Sequence, residues 1–333
     1  MGKSSVLGID IGNYSLKAAE WKNGHLKDFD VFDMPGNLVR GEEIIAYEAL
    51  GDFLHDAVRK RFKTHDVALV LPDSQCYIRR LKMPLMTEQQ LAVNLPYEFH
   101  DIVKDNADSF IFDYSIIGRS SDGNNELLDM TAAAASKELI DKLKDVFARN
   151  GFRLVKVAPR VISTGKLIQA VSPFDKDKDF ATLDLGYEFT KIDIYKGGVY
   201  DLTRTIELGM AHVEAAAGSF LKCESHSARM RMRENEKGVL DSEQVRGVFD
   251  SIAVEVMRAV NYYTFENPEN TLDNFYIYGG GARYKQFEDA IKNAVPLNII
   301  KFLGNDSKYN VRDSLNDGLA AVAIGMKLGG RYE

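Results

Sequence analysis

The sequence predicts an α/β protein made of two related halves, each with a mixed sheet. Three observations lead to this prediction. A segment at the start of the chain recurs near its middle, each copy has the pattern of three short strands, and each copy is followed by helical spacing of apolar residues. The length of 333 residues agrees with two domains at a prior of ~150 residues each.

The repeat joins residues 6–29 to residues 180–203 at a constant offset of 174, with no gap. A short apolar strand ends at an aspartate, glycine follows two residues later, and a second strand then alternates polar and apolar residues. A two-residue turn, Asn23-Gly24 or Gly197-Gly198, suits a tight hairpin into a third strand. The aligned pairs include Asp10 with Asp184, Gly12 with Gly186, Lys17 with Lys191, and Trp21 with Tyr195.

Helices are predicted after each three-stranded unit. Residues 42–62 and residues 245–265 both carry apolar side chains at helical spacing. Two such halves would form a cleft between them, and a cleft of this kind is the usual place for a ligand.

Composition excludes several classes of protein. The chain has 42 basic and 49 acidic residues, a formal charge of −7, which argues against a general nucleic-acid binder. No apolar run approaches the ~20 residues of a membrane-spanning helix, and the N-terminus lacks the apolar centre of a signal peptide. The two cysteines, Cys76 and Cys223, are isolated. We therefore expect a protein of the reducing cytoplasm.

The repeated Asp-x-Gly turn could hold phosphate. Gly12 permits a sharp turn, and the amides of Asn13, Tyr14 and Ser15 could point at an anion. Asp10 could hold water on Mg²⁺, which prefers oxygen ligands. The alternative is a pair of structural hairpins left by duplication, in which the aspartates bond turn amides. Two copies in register favour the phosphate interpretation.

A glycine triplet forms a third candidate element. Residues 275–291 read as an apolar strand, then Gly279, Gly280 and Gly281, then a helix. The glycines would let a flat ligand approach the backbone, although a tight strand-to-helix turn explains them equally well. Contiguous glycines exclude the dinucleotide fingerprint, and no Gly-Lys-Ser or Gly-Lys-Thr follows as in a Walker A loop.

In this order, the three elements resemble the two phosphate loops and the adenosine loop of the actin, Hsp70 and sugar-kinase superfamily. Residues 8–21 and 67–99 are similar to the PilM family, the actin-like type IV pilus assembly proteins. The resemblance implies an actin-like fold of two ribonuclease-H-like halves with a small inserted α/β subdomain. The implied subdomains are 1A at 1–85 and 159–175, 1C at 86–158, 2A at 176–212 and 273–333, and 2B at 213–272.

The local pattern of the implied insert agrees with a small α/β unit. A helical stretch begins with Leu91, Val93, Leu95 and Phe99. Strands are predicted at 110–117 and 127–135 with a polar loop at 120–125 between them, followed by a helix at 137–150. Residues 315–328 are similar to the closing helix of the family.

The resemblance also implies a site for ATP with Mg²⁺. The magnesium would be held through water by Asp10 and Asp184. No catalytic set for hydrolysis is identified, so we expect nucleotide binding with at most slow hydrolysis. The implied nucleotide-binding residues are Asp10, Gly12, Asn13, Tyr14, Ser15 and Lys17, then Asp184, Gly186, Tyr187, Thr190 and Lys191, then Gly279, Gly280, Gly281 and Arg283.

The chain departs from the family pattern at two places. Relatives carry small or hydroxyl residues after the second Asp-x-Gly, whereas this chain has Tyr187, Glu188 and Phe189, and the Glu188 carboxylate would repel a phosphate. Relatives have Ala-Glu where this chain has Ala228-Arg229, and arginine cannot accept hydrogen bonds from ribose hydroxyls. We interpret Arg229, Arg231 and Arg233 as a solvated helix face.

The resemblance implies a cytoplasmic scaffold of the type IV pilus inner-membrane platform. It would dock the N-terminal cytoplasmic peptide of PilN in a groove beside the insert, with Arg79, Arg80, Leu81 and Leu95 as candidates. Other platform proteins and a second copy are further expected partners. The alternatives are an FtsA-like polymerising protein and, less favoured, a sugar-kinase-type phosphotransferase. FtsA-like chains end in an amphipathic membrane helix, whereas this sequence ends after Gly329-Gly330, so we expect membrane attachment only through a partner.

Overall fold

A computed structural model describes residues 5–36, 38–123, 125–171, 178–301 and 323. The chain divides into two compact units, Met1–Lys166 with Ala320–Glu333, and Leu167–Leu319. Each unit contains one five-stranded sheet, and the first also contains a separate three-stranded sheet.

The described part of the first unit holds ten strands and the beginning of α5. Its strands are β1 Ser5–Ile11, β2 Ser15–Lys22, β3 His25–Asp33, β4 Val39–Arg40, β5 Glu43–Ile44, β6 Asp66–Leu71, β7 Cys76–Pro84, β8 Phe110–Asp122, β9 Asn125–Ser136 and β10 Arg153–Pro159. Its helices are α1 Tyr47–Phe53, α2 Glu88–Asn94, α3 His100–Val103, α4 Lys137–Arg149 and α5 Arg160–Val171, which continues into the second unit.

The second unit repeats the alternation of strands and helices. Its strands are β11 Phe180–Leu185, β12 Thr190–Lys196, β13 Val199–Ile206, β14 Asn274–Tyr278 and β15 Asn298–Lys301. Its helices are α6 Met210–Leu221, α7 Ser225–Arg233, α8 Glu243–Glu266 and α9 Lys285–Ala294. No helix of the described residues combines the length and the apolar character needed to cross a membrane.

The two large sheets have the same strand order. In the first unit the order is β10-β6-β1-β2-β3, and in the second it is β15-β14-β11-β12-β13. In each, the repeat forms an antiparallel meander, and its first strand pairs on the other side with a parallel strand that comes later in the chain. The predicted pair of related α/β halves is therefore confirmed.

The register within each meander follows from the predicted turns. Asn23 and Gly24 have positive φ angles of 53° and 78°, and Gly197 and Gly198 have 57° and 77°. Asparagine and glycine tolerate this left-handed backbone, which matches the twist of a two-residue hairpin. These turns pair Lys22 with His25 and Lys196 with Val199. The Asp-x-Gly turns, which join β1 to β2 and β11 to β12, bring Asp10 opposite Lys17 and Asp184 opposite Lys191.

Each large sheet buries one face against helices. In the first unit, alternate residues of β1 and β6, including Leu7, Ile9 and Leu69, pack against α1 and against Phe147 of α4. The helix predicted at 42–62 begins only at Tyr47, because Glu43–Ile44 form β5. A wider helical turn, Leu54–Arg59, continues α1. In the second unit, β11 and β12 pack against α6, α8 and α9, and α8 confirms the helix predicted at 245–265.

The three-stranded sheet of the first unit has the order β7-β9-β8 and packs against α2 and α3. Leu91, Leu95 and Phe99 are buried in this core, whereas Val93 is 66% exposed. The sheet begins at Cys76, ten residues before the predicted start of the insert at 86. The subdomain boundaries themselves stay a prediction.

The predicted loop at 120–125 is too long at both ends, because β8 extends to Asp122 and β9 begins at Asn125. The polar residues there continue the ribbon of β8 and β9, which pair as far as Asp122 and Asn125. Antiparallel pairing supplies their backbone hydrogen bonds without requiring apolar side chains. The predicted closing helix at 315–328 lies outside the described residues except for Ala323, which is helical and buried.

Candidate functional site

The first Asp-x-Gly turn joins β1 to β2 and places an acid beside a base. The Lys17 Nζ lies 3.5 Å from the Asp10 Oδ2, and both side chains are about one fifth exposed. The amide of Gly12 donates to the carbonyl of Ser15 at 3.1 Å, which closes the turn. The turn therefore presents one carboxylate and one ammonium, fixed by strand register, at the end of β1.

Glycine at position 12 leaves room for the lysine that crosses the turn. A Cβ there would lie 2.9 Å from the Lys17 Nζ and 3.2 Å from the carbonyl oxygen of Ser15. Asn13 and Tyr14 hold the turn to neighbouring chain: Asn13 Oδ1 accepts from the Glu42 amide at 3.2 Å, and the Tyr14 carbonyl accepts from the Met34 amide at 2.8 Å.

The second turn has the same register in the second unit. Asp184 pairs with Lys191 across β11 and β12, and the Gly186 amide donates to the Phe189 carbonyl at 3.0 Å. A Cβ on Gly186 would lie 2.9 Å from that carbonyl oxygen. Thr190 donates its hydroxyl to the Leu208 carbonyl at 2.7 Å, so this predicted site residue also anchors the segment that leads into α6.

Helix α6 begins directly against the second turn. The carbonyls of Gly186 and Tyr187 accept from the Met210 and Ala211 amides at 3.0 Å and 2.8 Å. Gly209 allows this approach, since a Cβ there would lie 2.5 Å from the Tyr187 carbonyl oxygen. Sequence reasoning missed Gly209, because the contact joins residues that no motif connects.

The glycine triplet has features of both a tight turn and a loop that a ligand could approach. Gly279 has a φ of 90°, and a Cβ there would lie 2.3 Å from the Asp184 Oδ1. A Cβ on Gly281 would lie 2.2 Å from the Leu185 Cδ2. Gly280, by contrast, is exposed and faces open space. Two glycines therefore allow close packing on the end of β11, and the middle one leaves the backbone accessible beside Asp184.

Arg229 is not on a solvated face, which corrects the sequence interpretation. Its guanidinium is buried and pairs at two points with the carboxylate of Glu214 on α6, with Nε–Oε1 at 2.5 Å and Nη2–Oε2 at 2.6 Å. Its Cζ also lies 5.1 Å from the centre of the Tyr187 ring. The reason is that α7 packs on α6 with Arg229 facing it, next to the buried carboxylate of Glu214. Arg233, one turn later, is exposed as predicted.

Burial shifts the proton affinities in this cluster. Desolvation raises the pKa of the Glu214 carboxyl to about 8, against the opposing positive charge of Arg233. Desolvation, helped by the like charge of Arg233, lowers the pKa of the Arg229 guanidinium to about 10. Burial also raises the pKa of the Tyr187 hydroxyl, helped by the negative charges of Glu214 and Glu188. Tyr187 therefore stays a neutral hydroxyl at physiological pH, beside a half-buried Glu188.

The remaining predicted nucleotide residue, Arg283, is exposed at the end of the short helical turn Gly280–Arg283. It lies on the same loop as Gly280 in the second unit. The structure thus groups the predicted residues on one turn in the first unit and on two adjoining segments in the second. Among the described residues, no group of three His, Cys, Asp or Glu side chains could hold a metal ion.

The residues predicted for a peptide groove face in different directions. Arg79 stacks on Phe99, donates to the Glu98 carbonyl at 2.6 Å and pairs with Asp101, all on the helical side of the insert. Leu95 is 2% exposed in the core of the insert, and Leu81 packs against that core. Arg80 is exposed. On this side, Arg79 and Leu95 are therefore occupied in holding the insert together.

Comparison with known proteins gives the family and the fold. The family model described as type IV pilus assembly protein PilM matches residues 8–311. A solved PilM-PilN type IV pilus biogenesis complex has a chain with a TM-score of 0.72 at 17% identity, with 98% of each chain covered. The ethanolamine utilization protein EutJ of Carboxydothermus hydrogenoformans gives 0.62 at 12% identity, covering 98% of this chain and 91% of its own.

A third solved structure is MreB 5 of Spiroplasma citri bound to AMPPNP. It gives a TM-score of 0.54 at 12% identity, covering 98% of this chain and 96% of its own. These likenesses agree with the twin sheets described above and show the actin-like fold. Since the family match extends over most of the sequence, the chain belongs to the PilM family of type IV pilus assembly proteins.

Proposed function

We propose that this chain is an ATP-binding scaffold of type IV pilus assembly that docks the N-terminal cytoplasmic peptide of PilN. The observation that carries the nucleotide part is the equivalent pairing of Asp10 with Lys17 and of Asp184 with Lys191, each at the turn of a meander in the same kind of sheet. Family membership supports the pilus part.

Each turn offers groups that suit a magnesium-bound polyphosphate. The ammonium of Lys17, beside Gly12, would neutralise phosphate charge, and the carboxylate of Asp10 would hold water on Mg²⁺. Asp184 is the corresponding carboxylate of the second unit. The open backbone at Gly280 gives a flat nucleoside room to approach the end of β11. The residues present therefore fit a nucleotide with its metal.

Two features indicate weak affinity for the nucleotide. Glu188 is half-buried within the second turn, where its charge opposes phosphate. Arg229 pairs with Glu214 at two points. A guanidinium only donates hydrogen bonds, so Arg229 cannot accept one from a ribose hydroxyl. A scaffold that responds to nucleotide occupancy fits these features better than a rapid enzyme.

The peptide part of the proposal rests on family membership and on the fold shared with the PilM chain of a PilM-PilN complex. Docking to the cytoplasmic end of a membrane protein would place this chain at the inner face of the cell membrane. Other platform proteins and a second copy are further proposed partners. Specific docking of an extended peptide uses both main-chain pairing and side-chain pockets.

Isothermal titration tests the proposal with a synthetic peptide. The probe is the N-terminal cytoplasmic segment of the PilN protein encoded with this chain, amidated at its C-terminus because the natural segment continues. We expect saturable 1:1 binding whose affinity changes with Mg-ATP, and no binding of a scrambled peptide. Absence of heat both with and without Mg-ATP would contradict the docking proposal.

Phosphate release separates the scaffold from the enzyme. We expect turnover far below the median enzyme value of ~10 per second. Turnover near that value, with purified protein and Mg-ATP alone, would contradict the scaffold and favour a phosphotransferase or ATPase.

A further inference from the structure

A line of apolar side chains lies exposed on the outer face of α8 in the second unit. The inner face of this helix is buried against α6 and α9. On the outer face, Val254 is 40% exposed, Tyr262 55% and Phe265 80%. A helix at a protein surface normally turns polar residues to solvent, so this line indicates a surface for another molecule. Together with the residues that continue it, we call it the α8 stripe, which consists of Gly247, Ser251, Val254, Arg258, Tyr262 and Phe265.

Helical spacing places the members of the α8 stripe on one face, because successive members are three or four residues apart. The two halves of the stripe differ in height. In the first half, a Cβ on Gly247 would meet no atom within 4 Å, and Ser251 donates its hydroxyl to the Gly247 carbonyl at 2.7 Å. The second half carries the long or aromatic side chains of Arg258, Tyr262 and Phe265. The stripe therefore has a low end and a raised end.

Neighbouring residues hold part of the raised end in place. The Cζ of Arg204 on β13 lies 5.4 Å from the centre of the Tyr262 ring. The Nη1 of Arg258 lies 2.5 Å from the Oε1 of Glu255, which precedes it on α8. Side chains that are already ordered lose less conformational entropy when a partner binds. The raised end is therefore suited to contact with a partner at a small entropic cost.

A second copy of the same helix fits the α8 stripe in the antiparallel direction. With a two-fold axis level with Val256, the raised end of each copy lies on the low end of the other. The facing pairs are then Phe265 with Gly247, Tyr262 with Ser251, and Arg258 with Val254. Such a contact is isologous, since both copies use the same surface, and it closes after two subunits. Packing the side chains of one helix into the depressions of another is the normal way in which helices associate.

The charges along the stripe also complement each other between copies. Asp250 is exposed, and among the described residues no ion pair joins its carboxylate to a cation. Asp250 and Arg258 are separated by about 12 Å along the helix, which is too far for a pair within one chain. In the antiparallel arrangement, Arg258 faces Val254 of the second copy, and Asp250 of that copy lies only one turn away, about 6 Å. Each Arg258 therefore has a carboxylate of the other copy within reach.

We propose that the α8 stripe joins two copies of this chain as a symmetric dimer, with Phe265 and Tyr262 as the apolar anchors. This inference rests on the proposed function only where that names a second copy as a partner, and it involves neither the nucleotide nor the PilN peptide. The stripe is about 27 Å long and one helix wide. A contact of this size buries less than the ~800 Å² per partner of a standard interface, so we expect a reversible dimer.

Sedimentation equilibrium of the full chain tests the dimer through its Kd. We expect a reversible equilibrium between monomer and dimer at protein concentrations below about 0.1 mM. Phe265→Ser and Tyr262→Ser should each weaken the dimer at least about tenfold, because a symmetric dimer loses each contact twice.

Exchange of the charges tests the antiparallel arrangement. Arg258→Asp and Asp250→Arg should each weaken the dimer at least about tenfold, because like charges then face each other between the copies. The chain that carries both substitutions should regain most of the affinity, since the exchanged pair meets again across the two-fold axis. A role of these residues within one chain does not produce this recovery, because they are too far apart to pair there.

Two variants outside the stripe serve as controls. Tyr97→Ser removes an aromatic side chain that is 71% exposed on the insert. Arg246→Asp reverses a charge on α8 at a residue that pairs with Asp241 of its own chain. Neither substitution should change the Kd of the dimer. Circular dichroism confirms the fold of each variant.

The outcomes separate this inference from the proposed function. A dimer that keeps its Kd in every stripe variant would overturn the α8 stripe and leave the second copy as a partner at another surface. Single charge variants that weaken the dimer without recovery in the double variant would overturn the antiparallel arrangement. An original chain that stays monomeric up to about 0.1 mM would overturn the inference together with the second copy. ATP binding and PilN docking are decided by their own titrations.

Discussion

Arg229 and Glu214 form a buried ion pair that joins α7 to α6 at two points. The two N···O distances are 2.5 Å and 2.6 Å, and the side chains are 9% and 4% exposed. The arginine also lies over the ring of Tyr187, which belongs to the second turn. The pair therefore links the helices of the second unit to one of its proposed phosphate-binding segments.

Arg229→Met should destabilise the protein strongly. Removing one partner of a buried pair leaves an uncompensated charge and costs about 3–5 kcal/mol. Urea denaturation should show a lower midpoint for this variant. Arg258→Met is the matched control, because Arg258 pairs with Glu255 on the exposed face of α8 and such pairs contribute about 0–1 kcal/mol. Equal midpoints for the two variants would contradict the role assigned to the pair.

Gly281→Ala and Gly280→Ala should separate packing from ligand approach. The first places a Cβ 2.2 Å from the Leu185 Cδ2 and 2.9 Å from the Met210 Sδ, so we expect a loss of about 1–3 kcal/mol from overpacking. The second meets open space, so stability should change by no more than about 0.5 kcal/mol. Gly280→Ala should instead weaken Mg-ATP binding. The reverse pattern of stability losses would show that the loop packs differently.

Lys166→Met should stabilise the protein at pH 7, and the gain should shrink as the pH rises. The pKa of Lys166 falls to about 8 in the fold, below its ordinary value, mainly because of burial and then because of Lys156. Below that pKa the folded chain carries an unfavourable charge. Between pH 8 or so and the pKa that Lys166 has in the unfolded chain, the unfolded chain holds more protons than the folded one. The free energy of unfolding of the original chain therefore rises with pH in this range.

The check is the difference in urea midpoint between the original chain and Lys166→Met at pH 7 and pH 10, with Lys144→Met as the exposed control. A midpoint difference that is the same at both pH values would contradict an electrostatic origin of the stability gain. Lys156 remains in both proteins, so its own charge affects both curves.

Local patterns predicted the fold well. The turns at Asn23-Gly24 and Gly197-Gly198 set the register of β2 with β3 and of β12 with β13. The short Asp-x-Gly turns pair Asp10 with Lys17 and Asp184 with Lys191. Such relations join residues close in sequence, so spacing and turn chemistry are enough to anticipate them.

The unpredicted features depend on contacts between distant segments. Arg229 was expected in solvent because its neighbours on α7 are basic, and only the packing of α7 on α6 reveals Glu214 as its partner. Lys156 and Lys166 stand on a strand and a helix with no shared motif. The glycine triplet suggested a ligand loop, but its contacts with Asp184 and Leu185 require the parallel pairing of β11 with β14.

The central claim is that the twin turns hold a nucleotide. The most direct measurement is the Kd of Mg-ATP by isothermal titration for the original chain, Asp10→Asn and Lys17→Met, each checked for its fold. Gly186→Val is a poorer probe, because its Cβ would lie 2.9 Å from the Phe189 carbonyl oxygen and strain the turn itself. We predict saturable binding that weakens at least about tenfold in both variants, since each loses a charged contact. No binding by the original chain, or the same Kd in all three proteins, would contradict the claim.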